Sequence, residues 1–213
     1  MHLTVDNLNK KAYDAIKMDI VERRLIAGTR LVDSKLAEQY GISRTPIRDA
    51  LMRLTEEGLV ENTGKGYYVY MPSADDIREL FELRLMMDLY SARVIIEQRL
   101  LLNPDNRRRI DLSCDCPDGK ISENSFVAAD ERFHGEMMAL TGNVRLMNFY
   151  NSIRNQMRAF RNVTARSTER MNQAKSDHML IYQAIVLGDL SAAEEAIRKH
   201  TRQSMADALR DFE

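Results

Sequence analysis
The sequence predicts a mainly α protein in two parts: an N-terminal winged helix-turn-helix with a two-stranded wing over residues 1–72, and a C-terminal antiparallel all-helical bundle over 73–213. Three observations carry this. Apolar residues recur at helical spacing through most of the chain. Two short aromatic and β-branched stretches, 59–62 and 67–71, flank the turn Thr63-Gly64-Lys65-Gly66 and read as a hairpin. The Pro72-Ser73 pair separates two differently patterned stretches, and Ser73 with Asp76 three residues later approximates a capping box that starts a new helix.

In the first part, helices are expected at about 8–26, 33–40 and 44–57. Asp33 is placed to cap the second, Tyr40-Gly41-Ile42 makes a tight turn, and Ser43 is placed to cap the third, whose first turn tolerates Pro46. Two short helices joined by a glycine-containing turn have the geometry that enters a DNA major groove. Ile47, Leu51 and Leu54 form the buried stripe of the third helix, leaving Arg44, Thr45, Arg48 and Asp49 outward. Arginine pairs with guanine O6 and N7, and threonine meets a phosphate or a thymine methyl. The bland alternative is a pair of ordinary surface arginines. The hairpin weighs against it, because its tip around Lys65 is slim and basic enough to lie along a phosphate backbone.

In the second part, helices are separated by breaks at Asn103-Pro104, Pro117-Asp118-Gly119, Gly142-Asn143, about 164–168, and Gly188-Asp189. The first, over about 74–102, carries Ile77, Leu80 and Met87 on one side and Leu83, Met86, Tyr90 and Val94 on another. A helix apolar over most of its circumference needs two partners, here its own bundle and a second copy of the chain. A homodimer reading a pseudo-palindromic double-stranded DNA site follows.

Three of the four histidines, His134, His178 and His200, fall on the apolar faces of three separate predicted helices, with Asp130 one turn before the first. Three separate core histidines would each need hydrogen-bond partners in an apolar bundle. One shared ion is the more economical reading, and three imidazoles with a carboxylate suit a divalent transition metal such as Zn, Ni, Mn or Fe. A metal-dependent hydrolase or lyase is the competing reading, since three protein ligands with an open position activate water. It leaves the winged head without a purpose, so no enzymatic activity is expected.

Composition narrows the classes. At 213 residues and 44 % hydrophobic, the chain has material for a real core. No apolar run approaches the roughly 18–20 residues of a membrane span and the N-terminus lacks a secretion-signal core, so a cytoplasmic, nucleoid-associated bacterial protein is expected. Its only cysteines, Cys114 and Cys116, flank one Asp, too close for a comfortable disulfide. Net charge is −1, with eleven Lys/Arg against ten Asp/Glu in 1–72, so DNA binding rests on a local patch.

Gly28-x-Arg30-Leu31, Leu36-Ala37, the run Gly41-Ile42-Ser43-Arg44-Thr45-Pro46-Ile47-Arg48-Asp49-Ala50-Leu51, then Leu54 and Glu57-Gly58-Leu59-Val60 resemble the GntR family of bacterial transcription regulators. By that resemblance Arg44, Thr45 and Arg48 touch DNA and Gly66 sits at the wing, with Arg30, Lys35, Ser43 and Lys65 completing the candidate DNA-binding set. Ser34 departs from the family, where many relatives have Arg. In the second part, Asp130-x-x-x-His134, His178 and His200, with Glu82-x-Arg84-x-x-Met87-Asp88 and Gly142-Asn143-x-x-Leu146, resemble the FadR-type C-terminal (FCD) effector domain; the match is weakest over 103–125. The resemblance implies a metal at Asp130, His134, His178 and His200 whose shell is completed by a small carboxylate effector, and a regulator, in the simplest form a repressor, controlled by it. Arg84 would supply a cationic fork for that acid, and Arg158 or Arg161 another. For Arg84 a structural ion pair is the alternative.

Overall fold
The computed structural model describes residues 5–22, 24–114, 123–164 and 168–210; for 5–6, 112–114, 123–126 and 158–164 it describes the backbone alone. The chain divides into two compact units, Met1–Pro72 and Ser73–Glu213.

In the first unit α1 (Val5–Val21), α2 (Asp33–Tyr40) and α3 (Arg44–Glu56) enclose a core of Ala12, Ile16, Leu36, Ile47, Leu51 and Leu54. Helix α1 stops five residues short of the predicted end, because Asp19 accepts from Arg24 and Tyr40 and the chain turns back there. Gly41 ends α2 in the left-handed region at φ 63°, where a residue without Cβ is unstrained, and its N–H meets the carbonyls of Ala37 and Glu38. Two capping expectations fail. Val32, not Asp33, occupies the N-cap of α2, and Ser43 occupies the N-cap of α3 without a side-chain cap bond. Asp33 instead turns its carboxylate to α3.

The hairpin is present as β2 (Val60–Asn62) and β3 (Tyr67–Val69), with Thr63 N–H donating to the Gly66 carbonyl. The sheet has a third strand that the pattern did not show: β1 (Arg30–Leu31) pairs antiparallel with the free edge of β3, Arg30 opposite Tyr68 and Leu31 opposite Tyr67. A two-residue strand has no readable periodicity; it exists because β3 offers an open edge and Gly28 and Thr29 bond to Val69.

In the second unit α4 (Ala74–Glu97) begins with the expected capping box: Ser73 Oγ accepts from Asp76 N–H and the Asp76 carboxylate from Ser73 N–H. It ends earlier than predicted. Arg99 adopts a left-handed φ of 53°, and Leu100–Leu102 form a 3₁₀ turn before α5 (Pro104–Cys114). The apolar run 100–102 conceals this break from periodicity; the chain bends there to lay α5 beside α6 (Glu123–Leu140). Helices α7 (Val144–Thr164), α8 (Thr168–Leu187) and α9 (Leu190–Arg210) follow, α4 packing on α9 and α6, and α8 on α9. Gly142 and Gly188 sit at the predicted breaks with positive φ. The break at 117–119 and Cys116 lie outside the described residues. Among the described residues no helix is long and apolar enough to cross a membrane. On α4, Ile77, Leu80 and Met87 are buried as expected, whereas Met86 and Tyr90 are exposed.

Candidate metal centre and nucleic-acid face
The centre is assembled from three helices. Helix α6 supplies Asp130 and His134 one turn apart, α8 supplies His178 and α9 supplies His200. All four are buried, and one donor atom from each lies within 4.8 Å of the others. His134 Nε2 is 3.2 Å from His178 Nε2, and Asp130 Oδ1 is 3.4 Å from His178 Nε2 and 3.7 Å from His134 Nε2. Metal–ligand bonds of about 2.1 Å place tetrahedral ligand atoms about 3.4 Å apart, so the donor set fits one small ion.

Sequence reasoning missed the surrounding acids. Asp88, one turn beyond Arg84 on α4, lies 3.0 Å from His134 Nδ1; Asp177, beside His178 in the chain, lies 3.6 Å from His200 Nδ1. Asp88 is close enough to accept the outer N–H of His134 and aim its other nitrogen inward, whereas Asp177 faces His200 at ion-pair range. His178 is oriented differently, by Phe133 stacked on its ring at 4.3 Å and 18°. The signal for Asp88 was present: Arg84 and Asp88 are charged residues on an otherwise apolar face.

Arg84 is 1 % exposed. Its Nε reaches Asp88 at 3.4 Å, and its terminal Nη2 contacts His134 Nε2, lies 3.2 Å from His200 Nε2 and 3.8 Å from Asp130 Oδ1. Guanidinium has no acceptor, so the imidazole nitrogens facing it present lone pairs, the form that ligates metal. The structural ion pair and the position beside the ligands are therefore both present in one side chain. The side chains of Arg158 and Arg161 lie outside the described residues.

Electrostatics favour neutral imidazoles at His178 and His200, a more basic one at His134, and ionised acids beside them. Burial lowers His178 to about 3 and also lowers His200. For His134, burial and Arg84 push downward, but Asp88 and Asp130 outweigh them, so a proton competes with other cations for its lone pair. Burial would raise Asp130, yet Arg84 and the histidines hold it well below the usual carboxylate range; Asp88 is lowered in the same way. A cavity of about 550 Å³ between α8 and α9 is lined by Asp177 and His200 with Arg170, Gln173, Lys199 and Gln203.

In the first unit the expected DNA-facing residues lie at the surface: Arg30, Lys35, Ser43, Arg44, Thr45, Arg48 and Lys65 are exposed and Gly66 half-buried. Arg30 donates to the Lys65 carbonyl at 3.3 Å, joining β1 to the wing tip, and Gly66 has a φ of 133° that a side chain would strain. Arg44 and Arg48 both donate to Asp33, whose carboxyl they hold below its usual range.

The FCD domain description matches residues 79–203, well over half of the chain, and that of the bacterial regulatory proteins of the gntR family matches 8–69. The chain belongs to the GntR family, on the branch that carries an FCD domain. It is a DNA-binding transcriptional regulator. The Nta operon transcriptional regulator of Aminobacter aminovorans is 32 % identical over 136 residues, 62 % of this chain and 62 % of that protein. A GntR transcriptional regulator from Rhodococcus sp. RHA1 superposes with a TM-score of 0.75 at 20 % identity, covering 94 % of this chain and 97 % of the other. The metal-free FCD domain of TM0439 superposes with a TM-score of 0.52 at 22 % identity, covering 67 % of this chain and 97 % of that domain. These two show the fold. Membership in a regulator family does not favour the hydrolase alternative, and the GntR head accounts for the winged unit.

Proposed function
We propose that this GntR regulator binds a divalent transition ion (Zn, Ni, Mn or Fe) through Asp130, His134, His178 and His200, and that a small carboxylate effector bound there controls its affinity for a pseudo-palindromic operator. The observation that carries the reading is the convergence of four buried donor atoms beside the buried guanidinium of Arg84. When bound, the ion supplies a positive Lewis-acidic centre for the acid. Arg84 offers the acid a planar fork, Asp88 holds the His134 imidazole in its ligating orientation while Asp177 stands behind His200, and the α8–α9 cavity gives a route from solvent. Arg158 and Arg161 are further candidates for the fork.

Arg30, Lys35, Ser43, Arg44, Thr45, Arg48, Lys65 and Gly66 form the operator-facing set. Two copies, joined through the uncovered face of α4, present two heads to half-sites about 34–36 Å apart. The effector acts by binding one arrangement of heads better than the other, which sets the direction and size of the change in operator affinity. In the simplest form the protein is a cytoplasmic repressor that the acid releases.

The test pairs elemental analysis of purified protein with operator titrations across a panel of small mono- and dicarboxylates. A stoichiometric transition metal, and an acid whose effect on operator affinity disappears in His134→Ala and His200→Ala, are expected. Metal-free protein with the acid response intact in both variants would sink the reading.

A further inference from the structure
Asp33 is the first residue of α2, where its negative charge is favoured by the helix N-terminus, and it is largely covered. Its Oδ2 accepts from Arg44 Nη2 at 2.9 Å and from Arg48 Nε at 2.6 Å, while Oδ1 lies 3.1 Å from Arg44 Nη2. One carboxylate thus gathers the two exposed arginines in the N-terminal half of α3, which lie one turn apart, although each arginine remains more than half exposed.

We propose that Asp33 is a specificity-determining positioning residue: it restrains Arg44 and Arg48 for base readout and stands in their own domain as a competitor for DNA phosphates. The inference rests on Arg44 and Arg48 being DNA-facing. Each guanidinium has five N–H donors, and Asp33 engages one nitrogen of each, so donors remain for a guanine edge while the carboxylate stays in place. A backbone phosphate offers the same chemistry as Asp33, an anionic oxygen pair. Binding phosphate alone therefore exchanges one anion for another and gains little. A guanine edge adds bonds without requiring that exchange. The carboxylate also limits the rotamers of both long side chains before DNA arrives, which reduces the ordering that base contact demands.

The test compares full-length wild type with Asp33→Asn, Asp33→Glu and Asp33→Asn in an Arg44→Ala/Arg48→Ala background. The probes are a duplex selected from a random library by the wild-type protein and a scrambled duplex of equal length, titrated over a range of salt. Asp33→Asn is expected to bind the scrambled duplex more tightly and the selected duplex no better. Discrimination should fall about tenfold, the equivalent of one charge-assisted contact. The scrambled-duplex salt slope should steepen by about one to two as the arginines become free for phosphates. Asp33→Glu is expected to restore both values, and the gain on scrambled DNA is expected to vanish when both arginines are absent.

Unchanged discrimination and slope in Asp33→Asn would overturn the proposal. So would equal weakening on both duplexes, which marks a structural role, or a gain that persists without the arginines, which marks a general charge effect. If wild type selects no duplex, the DNA-facing assignment falls and the proposal with it. If wild type selects one and Asp33→Asn behaves identically, only the proposal falls.

Discussion

Asp88 touches no atom that a metal would share, yet it decides what His134 offers. With its carboxylate 3.0 Å from Nδ1, the imidazole presents Nε2 inward. Asp88→Asn keeps the shape but is expected to lower metal affinity on the order of 10–100-fold, measured by competition with a chromophoric chelator; unchanged affinity would show that Asp88 serves only to balance Arg84. A different residue-scale cluster ties α1 to the end of α3. Tyr13 and Lys17 both donate to Glu57, and Arg53 lies over the Tyr13 ring at 4.0 Å. Burial works to raise the Glu57 pKa, but the bonds from Lys17 and Tyr13 win and lower it. A depressed carboxylate contributes stability above its unfolded value, about 4.3, and loses it as pH falls through the folded value. The stability gap between wild type and Glu57→Gln should therefore be full at pH 7 and shrink below about pH 4 in acid-denaturation curves. A gap that is constant from pH 7 to pH 3 would refute the assignment.

At the scale of elements, the turn between α2 and α3 decides how the reading helix is held. Gly41 has a φ of 63°, and a Cβ there would meet nothing within 4 Å, so the cost of a side chain is conformational alone. Gly41→Ala is expected to cost about 1 kcal/mol in urea unfolding of the head while leaving metal affinity unchanged. A neutral result would mean that the turn relaxes to another conformation. Helix limits were less legible than helix identities. Caps written in short polar side chains, Ser73 with Asp76, could be read directly, because the bonds are local. The end of α4 and the strand β1 could not. Arg99 turns left-handed inside a stretch whose apolar pattern runs on, and Arg30–Leu31 pairs with β3, a neighbour distant in the chain. Asp33 belongs with these: a cap by pattern, it is drawn to two arginines that the turn brings back beside it.

At the scale of the whole molecule, the bundle gathers three imidazoles, the acids Asp88, Asp130 and Asp177 and the arginine Arg84 in its interior, which is costly unless the charges are matched. Metal should therefore stabilise this unit selectively. At free ion about 100 times the Kd, the gain is about 2.7 kcal/mol. Calorimetry with and without chelator is expected to move the bundle transition and leave that of the winged unit in place; coincident shifts would contradict a local site. The uncovered Met86 and Tyr90 on α4 lead to the last expectation. Tyr90→Glu should convert a dimer to a monomer in sedimentation experiments and weaken operator binding, and sedimentation identical to wild type would rule out this face as the dimer contact.

Local patterns in the sequence sufficed for the two-unit division, the helix-turn-helix with its hairpin and the inward faces that bring Asp130, His134, His178 and His200 together, since periodicity places side chains on faces and short polar motifs make their bonds within a turn. The tertiary structure alone decided what stands next to those side chains and the exposed arginines of α3: Asp88 behind His134, Asp177 behind His200, Arg84 among the histidines and Asp33 between Arg44 and Arg48. The reason is physical. A face is a property of one helix, but the pairing of a buried charge depends on the register between helices, which packing of the whole core sets.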